Sequence, residues 1–227
     1  MTPELSIAIP FYNEEKIIEL LVKELIDQLM EHKIDYELIL INNGAKDRTE
    51  EIIKELSSKD RRIKPLKIEI NQGYGFGVGS GLKKATGNYI GYMDGDFEVL
   101  PEDVIKVYKK AKETNADVCK GVRLVRAKGM RKLASVGYDL LFFFFYGKWI
   151  KQINAKPKVM RKELFDKMKL TSKDWFIDTE ILIQALQHKA KITSIETTYK
   201  HREQGRSNVK FSTIFEFLKN LTKSKLK

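Results

Sequence analysis

Mostly apolar runs alternate with amphipathic stretches along the first half of the chain. Leu5–Phe11 and Tyr36–Ile41 have the length and apolar content of buried strands. Between them, over Ile18–Leu29, apolar residues recur every three to four positions, which is the spacing of one helix face. Asn13 precedes two glutamates, and we expect it to cap this helix, because its amide oxygen and first-turn acids both stabilise a helix start. The chain therefore begins with a strand, a helix and a second strand.

The same alternation continues and predicts four further elements. They are a helix over Asp47–Leu56, a strand over Arg61–Ile70, a helix over Val78–Ala85 and a strand over Tyr89–Met93. Pro101 then opens another helix, at a position where a proline is tolerated. Strands that alternate with helices are typical of a mostly parallel sheet. We therefore predict an α/β fold with a Rossmann-like, open, mostly parallel sheet and helices on both faces.

The second half of the chain is less regular. Its patterns predict an aromatic-rich helix over Met130–Ile150, an extended segment over Ile153–Met160, a helix over Asp178–His188 and a strand over Ile192–Tyr199. No repeat and no low-complexity linker divides the sequence. The second half is therefore expected to belong to the same domain as the first.

The length and composition agree with a single domain. The chain has 227 residues, of which 42% are hydrophobic, and this suits one large domain better than two small ones. We predict that residues 1–210 form this domain, in two halves at 1–100 and 101–210. Residues 211–227 are expected to form a basic amphipathic tail.

Charge and cysteine content restrict the compartment and the partners. Cys119 is the only cysteine, so no intrachain disulfide can form and a reducing compartment is expected. No signal peptide is recognised, and the longest apolar run, Leu140–Tyr146, is far shorter than the roughly 20 residues of a membrane-spanning helix. A net charge of +11 favours an anionic partner. We therefore expect a cytoplasmic protein that does not cross a membrane.

An acidic turn follows the fourth predicted strand, in the segment Tyr92–Glu98. Asp94 and Asp96 are separated by one glycine, and Glu98 follows two positions later. Mg²⁺ and Mn²⁺ prefer oxygen ligands, and a diphosphate completes their coordination. The turn predicts a divalent metal site at Asp94, Asp96 and Glu98. The alternative is an ordinary solvated Asp-Gly-Asp turn.

Two other segments precede this turn in a fixed order. Pro10–Glu15 closes the first strand, and the glycine-rich segment Asn71–Gly87 lies just upstream of the acidic residues. The ordered set resembles the family-two inverting glycosyltransferases of the GT-A fold. It is most similar to the polyprenyl-phosphate sugar synthases, such as dolichol-phosphate mannose synthase. The resemblance extends from Leu5 to about Phe211.

The resemblance implies that residues 1–100 are a donor-binding half and residues 101–210 an acceptor half. It places a donor site for a nucleotide sugar at the turns after the first four strands. Its members are Pro10, Tyr12, Glu14, Asn42, Asn43, Gly73 and Asp94. Asp94 and Asp96 match the DxD pair that meets the metal and the donor diphosphate, and Glu98 is a further metal contact. The implied catalytic residues are Asp94, Asp96, Asp178 and Glu180.

One segment departs from the pattern of the family. After the second strand the family has Asp-Asp-Gly-Ser, whereas this chain has Asn42-Asn43-Gly44-Ala45. An asparagine amide still accepts a hydrogen bond from a nucleotide base but lacks the charge that strengthens it. The base therefore stays open between guanine and uracil, in a GDP- or UDP-linked sugar. A catalytically weak binding protein with this fold is an alternative.

The acceptor side is expected to be basic. By the resemblance, Arg123 and Arg131 are candidates for binding an acceptor phosphate, and Lys158 is another candidate. Arg202 and Ser207 belong to a basic Arg-Gly-Ser segment that also matches the family. These residues imply a polyprenyl phosphate as acceptor.

Four consecutive phenylalanines, Phe142–Phe145, cannot all face one core from a single helix, because neighbours are about 100° apart. Lys148 and Lys151 border the run together with Trp149, a composition that suits an anionic membrane interface. A contact between two copies in a homodimer is the competing interpretation. Nucleic acid is not expected as a partner, because it explains neither the acidic turn nor this aromatic run.

The sequence therefore predicts an inverting glycosyltransferase that depends on Mg²⁺ or Mn²⁺. Its expected substrates are a nucleotide sugar and a polyprenyl phosphate, used at the cytoplasmic surface of a membrane. A soluble glycosyltransferase that acts on a hydroxyl acceptor is the main alternative. Such an enzyme needs a general base, for which Asp178 is the first candidate and Glu180 the second.

Overall fold

A computed structural model describes residues 2–124, 130–198 and 220–222. Within these ranges seven strands form one sheet. The strands are Leu5–Phe11 (β1), Tyr36–Asn43 (β2), Ile63–Ile68 (β3), Tyr89–Tyr92 (β4), Val118–Arg123 (β5), Lys158–Arg161 (β6) and Ile192–Thr197 (β7).

Helices connect most of these strands. They are Ile18–Glu31 (α1), Thr49–Lys59 (α2), Tyr74–Lys84 (α3), Pro101–Thr114 (α4), Met130–Tyr146 (α5), Lys162–Phe165 (α6) and Ile177–Gln187 (α7). Pro101 is in the first turn of α4, as predicted from its tolerance there.

The strand order across the sheet is β3-β2-β1-β4-β6-β5-β7. β1 is central and pairs in parallel with β2 and β4, so that Ile7 lies opposite Leu38 and Gly91. Only β6 runs antiparallel to its two neighbours, β4 and β5, within the described part of the chain. The expected α/β fold with a mostly parallel sheet is confirmed, and the reversed strand was not predicted.

Side chains of β1 alternate between the two faces of the sheet, as the pleat of a strand requires. Leu5, Ile7 and Ile9 pack in the core formed with α1, α2 and α4, whereas Ala8 packs in the core formed with α3 and α7. Both cores are buried, and helices cover both faces of the sheet. β1 is buried on both sides, which explains its continuous apolar sequence.

Two predictions about local structure are wrong. Asn13 does not cap α1, which begins at Ile18; it has a positive φ of 58°, and its Oδ1 accepts a hydrogen bond from the backbone of Lys46. The second wrong prediction is that α3 begins only at Val78. Helix α3 begins four residues earlier, at Tyr74, and at Gly75 and Gly81 within it neighbouring segments leave no room for a side chain.

Strand β5 was not anticipated from the sequence. Its residues Val118–Arg123 include two basic residues, Lys120 and Arg123, a residue type that is uncommon in a buried strand. Lys120 is in fact fully buried, and its Nζ donates hydrogen bonds to the backbone carbonyls of Gly121 and Lys151. These two bonds allow a charged residue type to occupy a core strand.

The phenylalanine run at the end of α5 divides between the core and the surface, as helical geometry requires. Phe142 is fully buried in the second core, whereas Phe143 is 40% and Phe144 is 72% exposed. Among the described residues, no helix has both the length and the apolar character needed to cross a membrane.

Only residues 220–222 of the expected tail lie within the described residues, and there Leu221 is buried in the second core. This part of the tail therefore packs on the domain. The division into donor and acceptor halves stays a prediction.

Candidate active site

The carboxyl ends of β1, β2 and β4 are adjacent, because these three strands are parallel neighbours. The acidic turn after β4 packs directly on the end of β1. A Cβ atom on Gly95 would be 2.6 Å from the carbonyl oxygen of Pro10 and 2.7 Å from the ring of Phe11. The glycine of the Asp-Gly-Asp sequence is therefore required by this close approach. The packing brings the acidic turn to the first-strand turn that carries the predicted donor residues.

The turns after β1 and β2 are joined by hydrogen bonds. The backbone N–H of Glu14 donates to Oγ1 of Thr49 over 3.1 Å, and the backbone N–H of Glu15 donates to Oδ2 of Asp47 over 3.0 Å. Tyr12, in the same turn, is 46% exposed. Thr49 and Asp47 therefore hold the first turn in place and leave the ring of Tyr12 accessible.

The two asparagines that end β2 have different roles. Asn42 builds its own turn: its Oδ1 accepts from the backbone of Ala45 over 2.8 Å, and its Nδ2 donates to Glu50 over 3.1 Å. Asn43 donates from Nδ2 to the carbonyl of Gly73 over 3.4 Å, while its buried Oδ1 has no hydrogen-bond partner. A buried acceptor without a partner costs free energy. Asn43 therefore has an unused acceptor atom, whereas both polar atoms of the Asn42 amide are already used.

The start of α3 packs against the loop that precedes α7. A Cβ atom on Gly73 would be 2.3 Å from the carbonyl oxygen of Lys173, and one on Gly75 would be 2.4 Å from that of Asp174. Gly73 also has a φ of 108°, which side chains rarely allow. The glycines thus join the donor half to the loop that carries Trp175. They do not form a phosphate-binding loop of known spacing.

Asp94 and its neighbours form the acidic turn. Asp94 is 8% exposed, its Oδ1 accepts from the hydroxyl of Tyr74 over 2.7 Å, and its Oδ2 is 3.4 Å from Nζ of Lys156. Asp96 and Glu98 are half-buried, and Oδ1 of Asp96 accepts from the backbone of Glu98 over 3.1 Å. Within the described residues, no three acidic, histidine or cysteine side chains are grouped so that they could hold a metal ion.

The protein alone therefore does not bring three such side chains together within the described residues, and the metal set of Asp94, Asp96 and Glu98 stays a prediction. Asp94 and Asp96 still supply oxygen ligands, the type that Mg²⁺ and Mn²⁺ prefer. The turn fits a cation that takes its other ligands from a bound diphosphate. It does not fit one that is enclosed by protein side chains.

Asp178 lies in a fully buried cluster of charges beneath the acidic turn. Its Oδ1 accepts from the hydroxyl of Tyr92 over 2.6 Å and from Nζ of Lys158, and its Oδ2 is 3.3 Å from Nζ of Lys156. Burial alone would raise the pKa of Asp178, but Lys156 and Lys158 outweigh it and the pKa is lowered. Asp178 is thus an ion-paired carboxylate, which makes it a poor general base in this arrangement.

The predicted role of Glu180 is also not supported by its contacts. Its carboxylate accepts hydrogen bonds from the backbone of Thr171 over 3.0 Å and from the backbone of Ser172 over 2.9 Å. The hydroxyl of Thr171 donates to it as well, over 2.9 Å. Glu180 therefore shapes the loop before α7, and its carboxylate is occupied by these hydrogen bonds.

The burial of Lys158 argues against its predicted role in binding the acceptor phosphate. Its side chain is 0% exposed and pairs with Asp178, so an acceptor phosphate has no access to it. Burial lowers the pKa of Lys158 to about 8, although Asp178 opposes the shift. The lysine that contacts the acidic turn is Lys156, two residues earlier.

The remaining acceptor candidates are only partly described. Arg123 ends β5 and is half-buried. Its backbone N–H donates to Oε1 of Gln152 over 3.1 Å, and its backbone carbonyl accepts a hydrogen bond from Nε2 of Gln152. Arg131 lies in the first turn of α5, and its side chain lies outside the described residues. Arg202 and Ser207 also lie outside them. Their roles stay predictions.

Four residues of the site were missed by sequence reasoning. They are Tyr74, Tyr92, Lys156 and Trp175. A signal was available for two of them: Tyr74 is an aromatic residue inside a glycine-rich segment, and Lys156 directly precedes a proline at the start of an apolar strand. Their partners come from distant parts of the chain, so no local pattern could identify the contacts.

The family comparison and the sequence comparison agree with this architecture. Residues 6–169 match the model of a family described as Glycosyl transferase family 2. A protein of Methanocaldococcus jannaschii without an assigned function is 26% identical and covers 95% of this chain and 96% of its own length. A dolichol-phosphate mannosyltransferase of Pyrococcus furiosus is 29% identical over 96% of this chain, which spans 62% of that enzyme's length.

A solved structure has the same fold at low sequence identity. Glucosyl-3-phosphoglycerate synthase from Mycobacterium tuberculosis, crystallised with Mn²⁺, uridine-diphosphate-glucose and phosphoglyceric acid, aligns with a TM-score of 0.74. The identity is 18%, and the alignment covers 99% of this chain and 79% of that one. The sheet and helices described above are therefore those of a GT-A glycosyltransferase.

Proposed function

Because the chain belongs to glycosyl transferase family 2, we propose that it is an inverting, metal-dependent enzyme. It transfers a sugar from a nucleoside-diphosphate donor to a polyprenyl phosphate at a membrane surface. The donor lies at the carboxyl ends of β1, β2 and β4. The acceptor approaches from the side of β5 and α5.

The observation that carries the donor assignment is the convergence of three turns on one edge of the sheet. Asn43 offers a buried acceptor atom for a base N–H group, and Tyr12 offers an accessible ring. Ligands of open α/β sheets bind at this edge. Guanine and uracil both carry a ring N–H group, so either a GDP- or a UDP-linked sugar suits this site.

Asp94 and Asp96 are the residues that would hold Mg²⁺ or Mn²⁺ together with the donor diphosphate. Such a cation neutralises charge on the departing nucleoside diphosphate. The protein's own part is to keep the two carboxylates next to the end of β1, which the contact between Gly95 and Pro10 supports.

The burial and ion pairing of Asp178 favour a phosphate acceptor over a hydroxyl acceptor. A hydroxyl needs a general base, and the first candidate is buried, paired with two lysines and has a lowered pKa. A phosphate monoester has its second pKa near about 6, so it is already a nucleophile at neutral pH. It needs cations to position it, and Arg123 and Arg131 are the candidates for this role.

The outer surface of α5 supports the membrane part of the proposal. Phe143, Phe144 and Trp149 are 40%, 72% and 48% exposed, and Phe143 has ring contacts with the other two. Lys148 and Lys151 flank them and are exposed. Aromatic rings bordered by lysines suit the interface of an anionic bilayer.

The first experiment measures the melting temperature with a panel of nucleotide sugars, with Mn²⁺ and with EDTA. A ligand that binds only the native state raises the melting temperature by mass action. We expect a shift with one GDP- or UDP-linked sugar in Mn²⁺ and a smaller shift in EDTA. Transfer of labelled sugar from that donor to a polyprenyl phosphate in detergent then tests the reaction.

The result also separates the alternatives. Transfer to a hydroxyl acceptor but not to a polyprenyl phosphate would identify a soluble glycosyltransferase of different specificity. Donor binding without transfer to any acceptor would support a binding protein, which the neutral Asn42 and Asn43 leave as the second candidate. No shift with any nucleotide sugar would reject the donor site.

Vesicle co-sedimentation tests the membrane surface. Binding should require anionic lipid and weaken at high salt, because each basic residue near an anionic bilayer contributes roughly 1 kcal/mol that salt screens. The double variant Phe143→Ser and Phe144→Ser should bind less. If the wild type binds no vesicle and this variant converts a dimer to a monomer, the exposed rings form a homodimer contact instead.

A further inference from the structure

The turn at residues 151–153 lies between α5 and β6 in the chain, and the proposed function assigns it no role. Asp139, on α5, holds its backbone: Oδ2 accepts from the N–H of Gln152 over 2.8 Å, and Oδ1 accepts from the N–H of Ile153 over 3.1 Å. Asp139 is 1% exposed, so water competes little for these bonds. Gln152 has a positive φ of 50°, and the carboxylate fixes the chain at this unusual conformation.

A lysine of the sheet holds the same turn from the other side. Nζ of the buried Lys120, on β5, donates to the backbone carbonyl of Lys151 over 2.9 Å. The turn is thus bonded both to α5, through Asp139, and to β5, through Lys120.

The side chain of Gln152 takes the place of a strand neighbour at the end of β5. β6 pairs with β5 from Val118 to Lys120. Further along, the N–H of Arg123 donates to Oε1 of Gln152 and the carbonyl of Arg123 accepts from Nε2, both over 3.1 Å. A glutamine amide offers a donor and an acceptor, as a peptide group does. The backbone of Arg123 is therefore held by Gln152 on one edge, while β7 pairs with β5 on the other edge.

The charge of Arg123 acts on the centre of the candidate site. Burial has the largest effect on the pKa of Lys156 and lowers it, Asp178 and Asp94 outweigh this effect, and the positive charge of Arg123 opposes them. Such an effect requires the two cations to be near each other in a poorly hydrated interior. Because Lys156 contacts Asp94 of the acidic turn, Arg123 lies on the side of the sheet where sugar transfer is proposed.

We propose that Gln152 and Asp139 are positioning residues for the acceptor phosphate and that they act through Arg123. Asp139 fixes the turn, and the amide of Gln152 fixes the backbone of Arg123, so that the guanidinium is in place before the acceptor arrives. Holding a long side chain in its bound position reduces the entropy that binding must remove. This inference rests on the proposed function and deepens it, because it names the residues that hold the acceptor-binding arginine.

The same contacts fix Arg123 relative to the exposed aromatic rings of α5. Asp139 lies on that helix one turn before Phe143, and Trp149, which is 48% exposed, lies two residues before the turn. A polyprenyl phosphate keeps its chain in the bilayer and its phosphate at the bilayer surface. A rigid connection between the rings and Arg123 therefore suits an acceptor of this chemistry.

The test is a double-mutant cycle with Arg123→Met, Gln152→Met and the variant that carries both. Binding of farnesyl phosphate in detergent is measured by calorimetry, and the KM of the donor is measured in parallel. Arg123→Met should weaken acceptor binding about tenfold and Gln152→Met about fivefold, with the donor KM within about twofold of the wild type. The double variant should bind no more weakly than Arg123→Met, because Gln152 acts through the arginine.

Gln184→Met is the matched control. The amide of Gln184 makes the same reciprocal pair of bonds with the backbone of Lys169, over 2.7 and 3.0 Å, near the end of α7. Its loss should leave acceptor binding unchanged. Equal weakening in Gln184→Met, or losses that multiply in the double variant, would overturn the inference, since Gln152 would then contribute to stability alone.

Gln152→Asn replaces Gln152→Met in the cycle if the latter does not fold. Asparagine tolerates the positive φ at this position, but its amide is one methylene too short to reach both groups of Arg123. Hydrogen exchange then gives a measurement without substrate: the amide of Arg123 should exchange about tenfold faster or more in Gln152→Asn, and at the wild-type rate in Gln184→Met.

The two measurements separate the inference from the proposed function. If the wild type binds no farnesyl phosphate and the Arg123 amide responds as expected, the phosphate acceptor is wrong, whereas the hold of Gln152 on Arg123 stands. If the wild type binds farnesyl phosphate and neither the exchange nor the binding responds to the loss of the Gln152 amide, the inference alone is wrong.

Discussion

Asp96 lies in the turn after β4 and is half-buried, whereas Asp178 lies in the first turn of α7 and is fully buried. Asp96 accepts a hydrogen bond from the backbone of its own turn. Asp178 contacts Tyr92 at the end of β4, Lys158 at the start of β6 and Lys156 two residues earlier. Both residues were predicted from the sequence to be catalytic.

The difference shows that burial and counter-charge decide what a carboxylate does. An aspartate at the edge of the sheet, near solvent, can meet a cation and a diphosphate that arrive together. An aspartate balanced by two buried lysines stabilises the segment that carries those lysines. We therefore propose that Asp96 takes part in the chemistry and that Asp178 supports the site.

The largest expected effect is on stability. Asp178→Asn leaves Lys156 and Lys158 without a shared counter-charge, and we expect the free energy of unfolding to fall by about 3–5 kcal/mol in urea denaturation at neutral pH. The pKa of Asp178 is lowered from 3.8, so its contribution is present above that pH and is lost as pH falls further. The difference from the wild type should therefore shrink in strong acid.

Asp103→Asn is the control for this prediction. Asp103 is equally buried, but burial raises its pKa against the opposing effect of Lys106, so its charged form is disfavoured. Its replacement by a neutral amide should cost less than that of Asp178. If the two variants lose the same stability, the paired lysines are not what distinguishes Asp178.

The next effect is on catalysis. Asp96→Asn should lower turnover at least about a hundredfold, which corresponds to roughly 3 kcal/mol in the barrier, while the urea midpoint stays near that of the wild type. The measurement is sugar transfer at saturating Mn²⁺ and donor. Near-normal turnover, together with no inhibition by EDTA, would remove the acidic turn from the mechanism and reverse the assignment of the two aspartates.

A smaller effect is expected at the end of β2. Asn43→Ala removes the buried acceptor assigned to the donor base and should raise the KM of the best donor about tenfold, with a smaller change in kcat. The contact is distant from the reacting carbon, which is why binding is affected more than turnover. Asn42→Ala is a useful comparison, because Asn42 is used within its own turn. An unchanged KM would exclude Asn43 from the donor site.

The smallest effect concerns a buried lysine that has carbonyl partners instead of a carboxylate. Burial lowers the pKa of Lys120 to about 7 from 10.5, so between these values the unfolded chain binds more protons than the native state. This contribution makes the wild type more stable as pH rises from about 7, by at most about 1.4 kcal/mol per pH unit. Lys120→Met should lack it.

The measurement for Lys120 is the difference in unfolding free energy between the wild type and Lys120→Met from pH 6 to pH 9. It should move in favour of the wild type as pH increases. A difference independent of pH would mean that Lys120 stays protonated throughout, as the ion-paired Lys156 is expected to do. The pKa of Lys156 is raised, because Asp178 and Asp94 outweigh the effect of burial.

The first half of the fold was predictable because its signals are local. β1 has the predicted bounds, and α4 starts at its proline. β2 extends two residues beyond the prediction and so includes Asn42 and Asn43. In the second half, β5 was not predicted, and it contains the buried Lys120. Its burial depends on carbonyl groups from elsewhere, which a local pattern does not contain.

The position of the candidate site was also predictable, but the contacts among its side chains were not. Alternating strands and helices, the Asp-Gly-Asp turn and the glycines are enough to place a ligand site at the carboxyl edge of a mostly parallel sheet, because each depends on residues close together in the chain. The pairing of Lys156 with Asp94 and Asp178 joins residues far apart in sequence. Whether a carboxylate binds a cation or balances a buried lysine depends on its neighbours in space and on its access to water, and only the tertiary structure supplies both.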